Sequence, residues 1–124
     1  GDQFGAPTST TDHAETTAEI LRNLWRDVEA CLAARRGLSS VTTAGAVSRF
    51  EFAEAICTET QRLGHLLAVR RITPISTDDL QAAPRPRISR LSLDLLSERF
   101  GIQPPHWRDA LSRDLNHRFG AISQ

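Results

Sequence analysis

The stretch from Ala83 to Phe119 constrains the fold more than any other part of the chain, because prolines and glycines divide it into segments of fixed geometry. Pro84-Arg85-Pro86 forms a stiff arm, since each ring fixes φ and drives the preceding residue towards extended backbone. The residues from Ser92 to Phe100 predict a short helix that Ser92 caps and Gly101 closes in the left-handed conformation. Pro104-Pro105 then opens a last helix whose apolar residues stack along one face: Trp107, Leu111, Leu115 and Phe119.

The sequence before Gly37 predicts one amphipathic helix. Hydroxyl side chains offer an N-cap, and we expect the helix to begin near Thr11. Apolar residues then recur at alternating steps of four and three and form a single stripe: Ala14, Ala18, Leu21, Trp25, Val28 and Leu32. This stripe is predicted to face the core rather than a partner.

Three short strands are predicted beside the helices, which makes the fold class α/β and helix-rich. The first ends in a sharp turn at Gly5 and Pro7, where glycine and proline supply unusual or fixed dihedral angles. The second spans Leu38 to Thr43, and the third spans Leu66 to Ile75 at or near a sheet edge.

The middle helix has the clearest boundaries in the sequence. Ser48 and Glu51 have the spacing of a capping box, in which each side chain accepts from the backbone of the other residue. The helix that follows is expected to stop at Gly64. Three of its residues are predicted to point inwards: Phe52, Ile56 and Leu63.

The composition argues against several classes of function. Fifteen arginines and no lysines balance fifteen carboxylates, so no net field would draw the chain to nucleic acid. The longest apolar run, Leu66 to Val69, is much shorter than a membrane-spanning helix, and no signal pattern opens the chain. The two cysteines and four histidines lack metal-ligand spacing. We therefore expect a cytoplasmic protein with no metal site and no nucleic-acid or membrane partner. Some charges should pair along helices, as Asp109 and Arg113 can at i,i+4.

Three blocks of sequence occur in the order found in one enzyme family. They are DQFGAPTSTTDHAE at residues 2–15, GLSSVTTAGAVSRFEFAEAI at residues 37–56 and APRPRISRLSLDLLSERFGIQPPHWRDAL at residues 83–111. Together they resemble the C-terminal, substrate-binding part of dTDP-4-dehydrorhamnose reductase, in the extended short-chain dehydrogenase/reductase superfamily. The resemblance implies the helix-rich C-terminal lobe of a Rossmann-type reductase, with residues 1–36 joining the cofactor domain and residues 37–124 forming the substrate-binding domain.

The resemblance also implies a reaction, the reduction of the C4 ketone of dTDP-4-dehydro-L-rhamnose by NADPH or NADH. In that family a Tyr protonates the developing alkoxide, a Lys lowers the pKa of that Tyr, and a glycine-rich turn holds the cofactor. This chain has no Tyr, no Lys and no GxGxxG or GxxGxxG turn, and it begins without Met. We expect it to be a segment of a longer enzyme whose preceding part binds the cofactor. No catalytic, cofactor-binding or metal-binding residue is expected here, and the segment alone is expected to be inactive.

Two residues are candidates for substrate binding. Gln3 lies at the turn of the first block, and Arg85 projects from the rigid arm, where its guanidinium could hold two phosphate oxygens. Each also has an ordinary explanation, because a turn Gln often bonds to nearby backbone and Arg85 could cap a helix or pair with Asp94.

The functional interpretation leaves three possibilities open. The first is the substrate-binding portion of the reductase, which would bind a dTDP-sugar; a homodimer is left open. The second is a non-catalytic regulatory or binding module of the same superfamily, and the third is an α-rich domain in which Gln3 and Arg85 are surface groups. Departures from the family pattern at Ser39-Ser40, Arg49 and Pro104 indicate either divergent specificity or relaxed selection.

Overall fold

The computed structural model describes residues 2–26, 28–29, 33, 37–79, 83 and 86–120. Within these residues the chain is helix-rich with one two-stranded antiparallel sheet, in agreement with the helix-rich α/β prediction. The elements in chain order are β1 (Phe4–Gly5), α1 (Thr10–Trp25), β2 (Val47–Ser48), α2 (Arg49–Arg62), a 3₁₀ turn (Thr77–Asp79), α3 (Asp94–Phe100) and α4 (Trp107–Phe119).

Helix α1 begins where the sequence predicts, but it buries a different face. Ser9 is the N-cap, and its hydroxyl oxygen accepts the Asp12 backbone N–H at 3.0 Å. The buried residues are Asp12 and Thr16, whereas Trp25 is 86% exposed. The prediction that this stripe faces the core is therefore wrong, because Leu21 and Val28 are exposed as well. The periodicity of the apolar residues shows which of them share a face of the helix, but it does not show what packs against that face.

Two of the predicted strands, Leu38 to Thr43 and Leu66 to Ile75, are wrong. Both segments are irregular, because a strand requires a second strand to receive its backbone hydrogen bonds. The Thr43 N–H donates instead to the Thr8 hydroxyl at 3.1 Å. Leu66 is fully exposed. Despite their β-branched residues, these segments therefore do not join a sheet among the described residues.

Helix α2 confirms the predicted capping box. The Glu51 N–H donates to the Ser48 hydroxyl oxygen at 3.1 Å, and the Ser48 N–H donates to the Glu51 carboxylate at 3.1 Å. The helix ends at Arg62, and Gly64 follows with φ of +87°, close to the predicted stop. Of the residues predicted to point inwards, Leu63 is buried and the other two are half-buried.

Helices α3 and α4 also end and begin close to the predicted positions. The N-cap of α3 is Leu93, so the prediction that Ser92 is the cap is wrong by one residue, although the Ser92 hydroxyl oxygen accepts the Asp94 N–H at 3.1 Å. Gly101 closes α3 with φ of +68°, as predicted. Helix α4 begins after Pro104-Pro105 with His106 as its N-cap. The first residue of α4, Trp107, forms a small core with Val47 and Ala55. Phe52 and Leu111 pack against this core, and the ring centroid of Trp107 lies 5.9 Å from that of Phe52.

Candidate functional site

A cavity of about 360 Å³ lies beside the two-stranded sheet, and we call it the sheet cavity. Its walls come from three distant parts of the chain. The described lining residues are Gln3, Phe4, Gly5, Ala6, Pro7, Val47, Ser48, Arg49, Phe52, Pro86 and Ser89. A volume of this size is within the range of small-molecule sites.

Strand β1 connects the walls of the sheet cavity through backbone hydrogen bonds. The Phe4 N–H donates to the Arg87 carbonyl at 2.7 Å, and the Ser89 N–H donates to the Phe4 carbonyl at 2.9 Å. On the other side, the Arg49 N–H donates to the Gln3 carbonyl at 3.2 Å. Gly5 allows a close approach here, because a Cβ would lie 3.0 Å from the Ser89 hydroxyl oxygen, which would have to shift. The cavity therefore depends on backbone contacts rather than on one helix.

The polar side chains of the sheet cavity fall into two groups. The Ser48 hydroxyl donates to Glu51 at 2.8 Å, and the Ser89 hydroxyl donates to the Phe4 carbonyl at 3.2 Å. By contrast, the side chains of Gln3 and Arg49 make no hydrogen bond to the part of the chain that the structure describes. These two groups are available to a ligand.

A second cavity of about 270 Å³ adjoins the first, and we call it the Ile72 cavity. Gln3 and Arg49 line both cavities, so their side chains lie at the boundary. Asp2, also on the Ile72 cavity, accepts the Thr77 hydroxyl at 2.6 Å and the Thr77 N–H at 3.0 Å. The side-chain hydrogen bond from Thr77 is the main reason that the pKa of Asp2 lies below its ordinary value.

The sequence of the whole cavity region matches a known domain family. The model of the RmlD substrate-binding domain covers residues 1–119 of this chain. The chain belongs to the RmlD substrate-binding domain family. This confirms the resemblance drawn from the three sequence blocks, each of which supplies a wall of the sheet cavity.

Individual relatives of this RmlD domain are longer proteins. The chain is 42% identical to the dTDP-4-dehydrorhamnose reductase of Burkholderia thailandensis, over 92% of the chain and 40% of that protein. It is 33% identical to the spore coat polysaccharide biosynthesis protein SpsK of Bacillus subtilis, over 97% of the chain and 36% of that protein. The chain spans about 40% of the length of the Burkholderia relative.

A solved structure resembles the fold of this RmlD domain. It is the dTDP-4-dehydrorhamnose reductase of Bacillus anthracis in complex with NADP, which matches with a TM-score of 0.67 and 26% identity. The match covers 90% of this chain and 34% of that chain. The helix-rich arrangement is therefore shared with a part of that reductase.

The RmlD domain places one predicted site residue at the cavity and adds one that the sequence prediction missed. Gln3 lines the sheet cavity, and its contact with substrate stays a prediction. Arg85 lies outside the described residues, although the neighbouring Pro86 lines the same cavity. Arg49 was not predicted as a site residue. Its signal in the sequence was its departure from the family pattern at this position.

Metal-binding clusters and membrane-spanning helices are both absent from the described residues. Among them, no group of three His, Cys, Asp or Glu side chains could hold a metal ion. None of the helices in the described part of the chain is long and apolar enough to cross a membrane.

Proposed function

We propose that this chain is the substrate-binding portion of a dTDP-4-dehydrorhamnose reductase and that the sheet cavity receives part of a dTDP-sugar. The observation that carries the proposal is the meeting of the three family-like sequence blocks at one cavity, where the side chains of Gln3 and Arg49 make no hydrogen bond to the described residues. In the complete enzyme, NADPH or NADH would reduce the C4 ketone of dTDP-4-dehydro-L-rhamnose.

The role of this segment in that reaction is to hold and orient the sugar nucleotide. A bound ketone held at a fixed distance from a hydride donor reacts faster, because the entropy of positioning has already been lost on binding. Gln3 would donate to or accept from a polar group of the substrate, and Arg85 would contact a phosphate. The chain has no Tyr and no Lys, so the family's proton donor must come from another part of the enzyme. The segment alone is therefore expected to have no reductase activity.

The described residues do not fit the pyrophosphate of a nicotinamide cofactor. Such a group binds to free N–H groups at a helix N-terminus after a glycine-rich turn. At α1 the Asp12 N–H is bonded to Ser9, and at α2 the Glu51 N–H is bonded to Ser48. We place the cofactor mainly on a part of a longer enzyme that precedes this segment.

The domain arrangement follows from the same proposal. Residues 1–36 would join the Rossmann-type cofactor domain, and residues 37–124 would form the substrate-binding domain of a cytoplasmic enzyme. The exposed apolar side chains of α1, Leu21 and Trp25, support contact with a further part of the enzyme, because such surface is costly to leave in water. Whether the enzyme is a homodimer is left open.

Calorimetric titration of the 124-residue chain with dTDP-L-rhamnose tests the proposal. We expect saturable binding that Gln3→Ala weakens, since that substitution removes a free amide from the cavity. Gln61→Ala is the matched control, because Gln61 is an exposed residue at the far end of α2. Absence of heat from the folded chain would contradict the proposal and favour the non-catalytic module of the same superfamily. The substitutions at Ser39, Ser40 and Arg49 are the sequence observation that favours that alternative.

A further inference from the structure

Arg49 is the one charged side chain among the described residues that line the sheet cavity. It is the first residue of α2, directly after the N-cap Ser48. Its side chain is exposed and lies where the sheet cavity meets the Ile72 cavity. A cation at this boundary faces space that a ligand could occupy from either side.

The positive charge of Arg49 is not neutralised by the carboxylates near it in the fold. Within the described residues Arg49 forms no ion pair with an Asp or Glu. Glu51 accepts both the N–H and the hydroxyl of Ser48, and Asp2 accepts both the N–H and the hydroxyl of Thr77. Each of these carboxylates is thus committed to a local partner.

The backbone of Arg49 is fixed relative to the rest of the cavity. Its N–H donates to the Gln3 carbonyl at 3.2 Å, and the preceding Ser48 pairs with Phe4 across the sheet. The lining also has apolar residues, among them Phe52, whose ring packs edge-on against Trp107. The cavity therefore combines a cation on a fixed stretch of backbone, one free amide and an aromatic surface. A ligand with an anionic group next to a ring has the matching chemistry.

We propose that the Arg49 guanidinium binds the diphosphate of the sugar nucleotide, with the Gln3 amide contacting a neutral polar group beside it. This inference rests on the proposed function. The planar guanidinium donates two parallel N–H bonds to a pair of phosphate oxygens, which a single ammonium group cannot do. Arg49, which departs from the family pattern, would thereby be a contact particular to this chain.

Titration of the 124-residue chain with dTDP, at low and at high salt, tests the role of Arg49. We expect Arg49→Ala to weaken dTDP binding by roughly ten- to a hundredfold, the range for losing hydrogen bonds to a charged group. Binding to Arg49→Ala should also depend less on salt than binding to the original chain, because one screened charge pair is gone. Arg49→Lys should give an intermediate affinity.

Arg62→Ala is the matched control, because Arg62 is an exposed arginine at the other end of the same helix. Its affinity for dTDP should stay within about twofold of the original, since it lies outside the lining of both cavities. Equal affinity in Arg49→Ala and the original chain would overturn the inference and leave the proposed function standing. A weaker Arg49→Ala with unchanged salt dependence would overturn it too, because the loss would then be structural. An original chain that binds no dTDP would overturn both.

Discussion

Replacing Gly45 with alanine is expected to destabilise the protein strongly, because this residue has both an unusual backbone and crowded surroundings. Its φ is +86°, in the left-handed region that favours glycine. A Cβ added there would lie 2.5 Å from His106 Nε2 and 3.0 Å from Trp107 Cδ1. Trp107 has little room to move, since it is only 3% exposed, and a shift of the exposed His106 ring would disturb the bond in which its Nδ1 accepts the Arg108 N–H at 3.3 Å.

The backbone next to Gly45 cannot relieve the clash either. The Ala44 N–H donates to the Pro105 carbonyl at 2.8 Å, and the Ala44 carbonyl accepts the Trp107 N–H at 3.0 Å. A left-handed alanine costs about 1 kcal/mol and overpacking a tight site about 1–3 kcal/mol, so Gly45→Ala should lower the free energy of unfolding by about 2–4 kcal/mol. For a chain of this size the melting temperature should fall by roughly 10 °C.

Gly101→Ala separates the two contributions. Gly101 also has a positive φ, +68°, but apart from its chain neighbours no atom of the described residues lies within 4 Å of the position of an added Cβ. This control should lose only the backbone cost of about 1 kcal/mol. Urea unfolding followed by tryptophan fluorescence measures both variants, because the buried Trp107 becomes exposed when the chain unfolds. A Gly45→Ala variant no less stable than Gly101→Ala would refute the steric reasoning.

Three further predictions follow from charges and exposed surface. The hydrogen bonds from Ser48 hold the pKa of Glu51 below its ordinary value of 4.5. Their contribution to stability is therefore complete above that pH and is lost as the pH falls through the folded-state pKa. In urea unfolding at a series of pH values, the free energy of unfolding of Glu51→Gln should decline less towards acid pH than that of the original chain. Arg113→Ala removes the ion pair to the buried Asp12 and should lower the free energy of unfolding by about 1–2 kcal/mol in thermal denaturation, a value reduced because Arg113 is half exposed. The chain is expected to self-associate through the exposed α1 face, and Trp25→Ser should lower the mass measured by light scattering.

Each of these predictions has an outcome that contradicts it. An equal acid decline in Glu51→Gln would show that the capping box does not contribute to the pH dependence. For Arg113 the control is Arg118→Ala, an exposed arginine of the same helix, and equal melting temperatures for the two variants would remove the argument. A monomeric original chain in light scattering would contradict association through Trp25.

Local features of the fold could be predicted from the sequence because their partners lie within a few residues. The capping box needs only Ser48 and Glu51, and the closure of α3 needs only a residue that tolerates positive φ at Gly101. Such contacts form in the same way in almost any surroundings. Their positions in the structure are the predicted ones.

Features that depend on distant partners could not be predicted in the same way. The i,i+4 spacing indicated an ion pair of Asp109 with Arg113, but Arg113 pairs with Asp12 and Glu15 of α1, about a hundred residues earlier. The segment Leu38 to Thr43 has strand composition without a strand beside it in the described residues. For both, the sequence gives the local preference, but the long-range contact decides the structure.

The candidate site shows the same division. Gln3 could be proposed from its position in a turn of a recognisable block, and it lines the sheet cavity. Arg49 could not, because a charged residue at the start of an amphipathic helix is usually solvated, and its place between two cavities follows from the pairing of β1 with β2. Arg85 stays a prediction.

The contact of Phe4 with Ser89 closes a loop of 85 residues by means of a strand only two residues long. Closing a long loop costs entropy that few local bonds can offset, so this end of the molecule should open before the helices unravel. The amide protons of Phe4 and Ser89 would then exchange with solvent together, at a rate that reports how often the cavity comes apart. A sugar nucleotide bound between the two segments would slow that exchange. Ligand binding and the local opening of the chain's first residues would then be thermodynamically coupled.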